Sequence, residues 1–109
     1  MPKPKPVNIY AHIKEKPFQA DVIKTAEALG WLVYHTHDSR RSAKGFPDLV
    51  LVHHRHGIIF AELKTEKGTV SPEQTIWHET IALAGGRSCL WRPSDIDVIL
   101  DVLKGEFHA

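Results

Sequence analysis

The stretch Asp48-Leu49-Val50-Leu51-Val52-His53-His54-Arg55-His56-Gly57-Ile58-Ile59-Phe60-Ala61-Glu62-Leu63-Lys64 decides how this chain folds. Two apolar runs rich in β-branched and aromatic residues flank a polar segment that ends in glycine, which reads as a β-hairpin. Both runs are almost continuously apolar, so the hairpin is expected at the centre of a sheet and covered on both faces. If His54 to His56 form a three-residue loop, His53 faces Gly57 and the same register places Asp48 opposite Glu62. A strand alternates its faces, so Glu62 and Lys64 point the same way. Two carboxyl groups and an ammonium then meet at the open end of the hairpin. A slip of one residue would send Asp48 to the other face and dismantle the group.

Outward from the hairpin, the flanking segments read as helices and shorter strands. From about Lys14 to Leu29, Phe18, Val22, Ala26 and Leu29 form one apolar stripe at helical spacing. Pro17 is tolerated in a first turn, and Gly30 stops the helix. Trp31 to His35 is a short strand, and the polar, basic segment from His37 to Phe46 is a loop. After Lys64 comes a second loop. Ser71 then caps a helix with Pro72 at its first position and Glu73 and Gln74 in its first turn. That helix runs to about Ala84 and ends at Gly85-Gly86. Arg87 to Arg92 is a strand broken by Pro93, and Ser94 is expected to cap a last helix with Ile96, Ile99, Leu100 and Leu103 inward. The order α-β-β-β-α-β-α describes an α/β fold with a mixed sheet flanked by helices.

The whole chain has 109 residues, 42% of them apolar, which supports one domain with a modest core. We take residues 1–13, with alternating prolines and Lys3 and Lys5, as an extended basic arm, and 14–109 as the single domain. No apolar run approaches the ~20 residues that span a bilayer, so no membrane partner is expected. The first residues lack an apolar signal segment, and Cys89 is the sole cysteine, read as a small core residue. A cytoplasmic location is the expectation. Net charge is only +1, but Arg40, Arg41 and Lys44 crowd one loop, where they can contact phosphates.

The trio Asp48, Glu62 and Lys64 carries a specific chemistry. Two adjacent carboxylates repel unless a cation lies between them, and a hard divalent ion such as Mg²⁺, or Mn²⁺, accepts one or two carboxylates together with water and phosphate oxygens. Such an ion activates water and offsets charge on a phosphorus centre. Lys64 can orient the attacking water or stabilise the same charge. Phosphodiester hydrolysis uses all of these parts. Read without any relative, the same residues also suit an exposed strand end beside a capped loop.

Gly45-Phe46-Pro47-Asp48 followed by Glu62-Leu63-Lys64 resembles the PD-(D/E)xK nuclease pattern and, more narrowly, the VRR-NUC family. Glu15 before Phe18-Gln19, Gln74 opening the next helix, Arg40-Arg41-Ser42 and Trp91-Arg92-Pro93 fit the same resemblance, which runs from Glu15 to Leu103. It implies a restriction-endonuclease-like core. It implies Asp48, Glu62 and the Leu63 carbonyl as metal ligands and Lys64 as the catalytic lysine. Glu15 would contact water on the ion or a second ion, and Gln74 would orient Lys64 or the substrate phosphate. Arg41 and Lys44 would contact DNA phosphates; apart from the resemblance, Arg40 in the same basic cluster is read as a further DNA contact, and His35, where its strand ends near the site, as either a DNA contact or strand-end packing. Stand-alone members resemble Holliday-junction resolvases, act as homodimers and occur in phages. The resemblance therefore implies a structure-selective endonuclease on branched DNA, a homodimer, and a bacterial or phage-infected cell.

Eight histidines invite a transition-metal reading, but neither His35/His37 nor the hairpin group shows a closed four-ligand pattern. The hairpin histidines are read as solvated or at a subunit contact. The rival function is a non-catalytic nucleic-acid-binding module that keeps the fold. Retention of Asp48, Glu62 and Lys64 argues against it, since a binder has no use for carboxylates beside phosphates.

Overall fold

Pairing within the central hairpin follows the register read from the sequence. The computed structural model describes residues 8–36 and 41–106. Strand β2 (Leu49–His53) and strand β3 (Gly57–Leu63) pair antiparallel, with His53 opposite Gly57 and Leu49 opposite Ala61. Strand β1 (Leu32–His35) joins β2 antiparallel, and strand β4 (Arg87–Trp91) joins β3 in parallel, giving the sheet order β1-β2-β3-β4. The parallel step needs a crossover, which helix α2 (Pro72–Leu83) supplies. Helix α1 (Glu15–Ala28) precedes β1, and helix α3 (Ile96–Leu103) ends the fold.

The core lies on one face of the sheet. Leu49 and Leu51 of β2, and Ile59, Ala61 and Leu63 of β3, are fully covered there, with Phe18, Val22 and Ala26 of α1 and Ile99 and Leu103 of α3. This is the α1 stripe expected from its spacing, with Leu29, the residue that caps the helix, half-buried and packed on the core at its end. Trp31 sits before β1 rather than in it. Its ring is buried and its indole N–H donates to the Leu103 carbonyl at 2.8 Å, tying the ends of α1 and α3 together. Cys89 packs against this core, and burial pushes its thiol pKa up, as suits an inert packing residue.

The other face corrects the expectation of a hairpin covered on both sides. Helix α2 covers only part of it, and no residue of α2 is fully buried. The pairing aligns Leu32, Val52 and Ile58 in one row across three strands, with Tyr34 in the next. They are 75%, 38%, 52% and 62% exposed respectively. A continuous apolar run thus showed that these strands are central, but not that both faces are covered.

Two further details differ from expectation. Of the arm, residues 1–7 lie outside the described residues. Residues 8–13 form turns, closed by Ala11 N–H to Asn8 and Ile13 N–H to Tyr10 at 3.1 Å each, and Ile13 packs on the core. The last helix is not capped by Ser94. Pro93–Asp95 form a 3-10 turn, the Asp95 carboxylate accepts the Arg92 N–H at 2.8 Å, and α3 begins at Ile96. Proline after an extended Arg92 favours such a tight turn over immediate α-helix. Among the described residues no helix is long and apolar enough to cross a membrane.

Candidate active site

The hairpin register brings Asp48 and Glu62 together at the open end of the sheet. Asp48 stands one residue before β2, where its own carbonyl still receives the Thr36 N–H at 2.9 Å, so the chain remains in line with β1. Its carboxylate accepts the Leu63 N–H at 2.8 Å, replacing a bond that the strand ladder would otherwise make. The N–H and C=O of a strand residue point to the same side. The Leu63 carbonyl therefore also turns toward Asp48.

Glu62 is the anomalous group. It is only 8% exposed, one oxygen accepts the Gln74 side-chain amide at 3.1 Å, and the other is buried with no donor. Burial, then the hydrogen bond and the charge of Asp48, push its pKa up to about 9, against the pull of Lys64. Two carboxyl groups face each other with at most one proton to share, so a positive charge between them is what the arrangement lacks. Among the described residues no three His, Cys, Asp or Glu side chains converge on one point. The group available to a cation is two carboxylates and a backbone carbonyl, a hard oxygen donor set that suits Mg²⁺ or Mn²⁺ better than zinc.

The Gln74 side chain meets Glu62 rather than Lys64. Ser71 and Gln74 form a reciprocal capping box: the Ser71 hydroxyl accepts the Gln74 N–H at 3.2 Å, and the Gln74 side-chain oxygen accepts the Ser71 N–H at 2.9 Å. That leaves the amide N–H₂ of Gln74 aimed at Glu62 rather than at Lys64. The start of α2 thus holds one Glu62 oxygen and leaves the other without a donor.

Glu15 is the first residue of α1, accepts the Gln19 amide at 3.3 Å and adds to the negative field at Glu62. It shares with His35, Gln19 and Asp48 a hollow of about 750 Å³ on the α1 side of the site. A second hollow, of about 530 Å³, lies on the α2 side and is bounded by Lys44, Ser71, Gln74 and Asp48. Asp48 and Thr36 line both. Arg41 is exposed at the start of the strap that leads to Asp48. Lys44 is exposed too, with its ammonium 3.3 Å from Glu73. Arg40 and His37 lie outside the described residues.

The packing of Gly45 and Phe46, which belong to the motif before Asp48, was not legible in that motif. Gly45 has φ +87°, and a Cβ there would come within 2.5–2.7 Å of the Glu73 and Gln74 backbone. Only glycine lets the strap lie this close to the first turn of α2. Phe46 then wedges edge-on between Phe60 of the sheet and Trp77 of α2, at ring separations of 6.3 and 5.1 Å, and Trp77 donates to the Lys44 carbonyl. A glycine before an aromatic and a proline signals a bend. Its partner segment is set only by the fold.

At the far end of the hairpin His54 is exposed, as expected of a solvated turn, and His56 half-buried, whereas His53 is covered. His53 is 9% exposed, stacked between His54 and His56 at centroid distances of 4.9 and 4.2 Å, and tilted against Trp31. Stacked rings do not converge their nitrogens on one ion.

A family model described as the VRR-NUC domain matches residues 4–93. A solved structure titled "VRR_NUC domain" superposes with a TM-score of 0.67 at 27% identity, over 80% of this chain and 94% of that one. Another, titled "VRR_NUC domain protein", gives 0.66 at 17% identity over 84% and 86%, a likeness of fold. Comparison with curated proteins gives no match.

Proposed function

From the fact that this chain belongs to the VRR-NUC family, a family of nucleases, we propose that it is a metal-dependent endonuclease that hydrolyses DNA phosphodiester bonds at branched structures such as Holliday junctions. The observation that carries the metal dependence is the buried Glu62 oxygen that lacks a donor beside the Asp48 carboxylate. Asp48, Glu62 and the Leu63 carbonyl would hold Mg²⁺ or Mn²⁺. When bound, the ion would supply Lewis-acid stabilisation of the phosphate and a lowered pKa for water.

The chain's own residues divide the remaining work. Lys64 leaves β3 on the same face as Glu62 and would orient the attacking water or balance charge on the phosphate. Gln74 keeps Glu62 turned toward Asp48. Glu15 would act at the edge of the site, on water or on a second ion. His35, Arg41 and Lys44 border or approach the two hollows and would contact the sugar-phosphate backbone, as Arg40 would from the adjoining segment. Such contacts position DNA without reading its sequence.

Symmetric cutting of a four-way junction takes two active sites, and each chain has one, so the proposal includes a homodimer. The open apolar row of Leu32, Val52 and Ile58 supports it, since apolar surface of this kind is a common seat for a second subunit. The proposed location is the cytoplasm of a bacterial or phage-infected cell.

The test incubates purified protein with branched, single-stranded and duplex DNA, in Mg²⁺, Mn²⁺ or EDTA. Metal-dependent cleavage of the branched substrate that is lost in Asp48→Ala and Lys64→Ala is the expected result. Unchanged cleavage in Asp48→Ala would remove the central claim. Tight DNA binding with no cleavage in any metal would mark the chain as a binding module instead.

A further inference from the structure

Lys64 lies just beyond the last strand pair of β3, where a long side chain has many rotamers and the ladder no longer restrains it. Its own N–H is held by the Trp91 carbonyl at 3.0 Å. The next residue of β4's chain, Arg92, takes over from there with its side chain. Its guanidinium donates to the carbonyls of Thr65 at 2.5 Å and Gly68 at 2.8 Å, with the Glu66 carbonyl at 3.3 Å. These are the carbonyls of the turn that follows Lys64, closed also by the Gly68 N–H to Thr65 at 3.2 Å.

The turn folds back onto the lysine. A Cβ built on Gly68 would stand 3.0 Å from the Thr65 hydroxyl and 3.5 Å from the Lys64 Cδ, so the turn brings Gly68 beside the lysine stem. A second anchor holds the same turn: the Glu66 carboxylate accepts the Ser94 N–H at 3.0 Å and the Asn8 amide at 3.1 Å. Arg92 is half-buried, and one guanidinium nitrogen, Nη1, meets the Thr65 and Gly68 carbonyls, with the Glu66 carbonyl at longer range, from a stem longer than that of lysine. A plain loop connecting β3 to α2 does not require a charged side chain whose hydrogen bonds go to that loop's own carbonyls.

We propose that Arg92 is a positioning residue for Lys64: its guanidinium closes the Thr65–Gly68 turn behind the lysine stem and thereby fixes where the ammonium stands relative to Glu62. It touches neither DNA nor metal. The proposal rests on the nuclease reading for its cleavage readout, but not for its second readout, the order of the Lys64 side chain in the free protein. A displacement of about 1 Å in a catalytic group can cost about a hundredfold in rate.

Two variants test it, each measured by cleavage kinetics and by NMR of the lysine Cε–Nζ groups without DNA. In Arg92→Lys, kcat is expected to fall about tenfold and in Arg92→Ala about a hundredfold, with KM for DNA unchanged. Lys64 signals should move toward those of a freely rotating lysine, while the other lysines keep theirs. If Arg92→Ala does not fold, Arg92→Lys carries both readouts. A Lys64 signal and kcat identical to wild type in Arg92→Lys would overturn the proposal, as would a rise in KM alone. If wild-type protein cleaves nothing, the nuclease reading fails by itself, and the Lys64 signals still decide whether the clamp exists.

Discussion

The two ends of the central hairpin use the same strands and bury polar groups in opposite ways. At the turn, His53 is nearly covered, but its ring nitrogen accepts the Arg55 N–H at 3.1 Å and its faces lie on other rings. At the open end, Glu62 is equally covered, yet one oxygen has no donor and the charged neighbour that acts on it most is another acid. A buried polar group that is satisfied stabilises a fold. One left unsatisfied costs free energy and persists where something outside the chain completes it. The difference between the ends teaches that burial alone does not mark a site, whereas burial with an unmet charge requirement does.

The comparison breaks most visibly in catalysis. Asp48→Ala and Lys64→Ala should each lower DNA cleavage at least about 10²–10³-fold, while His53→Gln leaves it at the wild-type level, measured by single-turnover cleavage of a junction. A His53→Gln loss as deep as that of Lys64→Ala would erase the distinction between the ends.

Glu62→Gln sharpens it further. The neutral amide can donate to Asp48 and still accept from Gln74, so cleavage should vanish while the metal-free protein becomes more stable. After allowance for solvent near the site the gain is about 1 kcal/mol, or about 4–8 °C in Tm by calorimetry near pH 8. Mg²⁺ should raise Tm of the wild type and not of this variant. A lower Tm for Glu62→Gln without metal would contradict the repulsion inferred here.

The ends should also titrate in opposite senses. Glu62 keeps a proton in the folded state up to about pH 9, whereas its ordinary value is 4.5. The metal-free fold therefore loses stability as pH rises from 4.5 to about 9. His53 is the reverse. Cover by its neighbours, then the charges of His56 and His54, lower its pKa from 6.5, so its neutral form is favoured and stability falls as pH drops below 6.5. Denaturant midpoints against pH should show Glu62→Gln flattening the alkaline side alone and His53→Gln the acid side alone. One variant flattening both would mean that the ends are not independent.

The smallest effect on the fold belongs to the open face. Ile58→Lys should change stability by no more than about 0.5 kcal/mol, as for an exposed position, yet reduce a dimer to monomers by light scattering and abolish paired cuts in a junction. Wild-type protein that is already monomeric would remove this face from the proposal.

Much of this was legible from local pattern. Ser71-Pro72-Glu73-Gln74 announced the start of α2 because capping is a contact between residues three apart. The odd-length turn before Gly57 set the pairing, and with it the meeting of Asp48 and Glu62, because strand alternation propagates without error along two short strands. What stayed hidden were contacts between segments far apart in the chain: Gly45 against Glu73, Phe46 between Phe60 and Trp77, and Arg92 on the Thr65–Gly68 carbonyls. None of these has a periodic signature, since each is a single side chain or a single missing Cβ meeting a backbone that arrives from elsewhere.

By itself, then, the sequence determined the elements, the hairpin register and the membership of Asp48, Glu62 and Lys64 in one group, because these follow from spacing along one strand pair. The tertiary structure alone decided that Gln74 serves Glu62, that Glu15 and Lys44 stand on opposite sides of Asp48, and that one face of the sheet is open. Those outcomes depend on how helices seat on the sheet, and that is set by volume and close approach rather than by order in the chain.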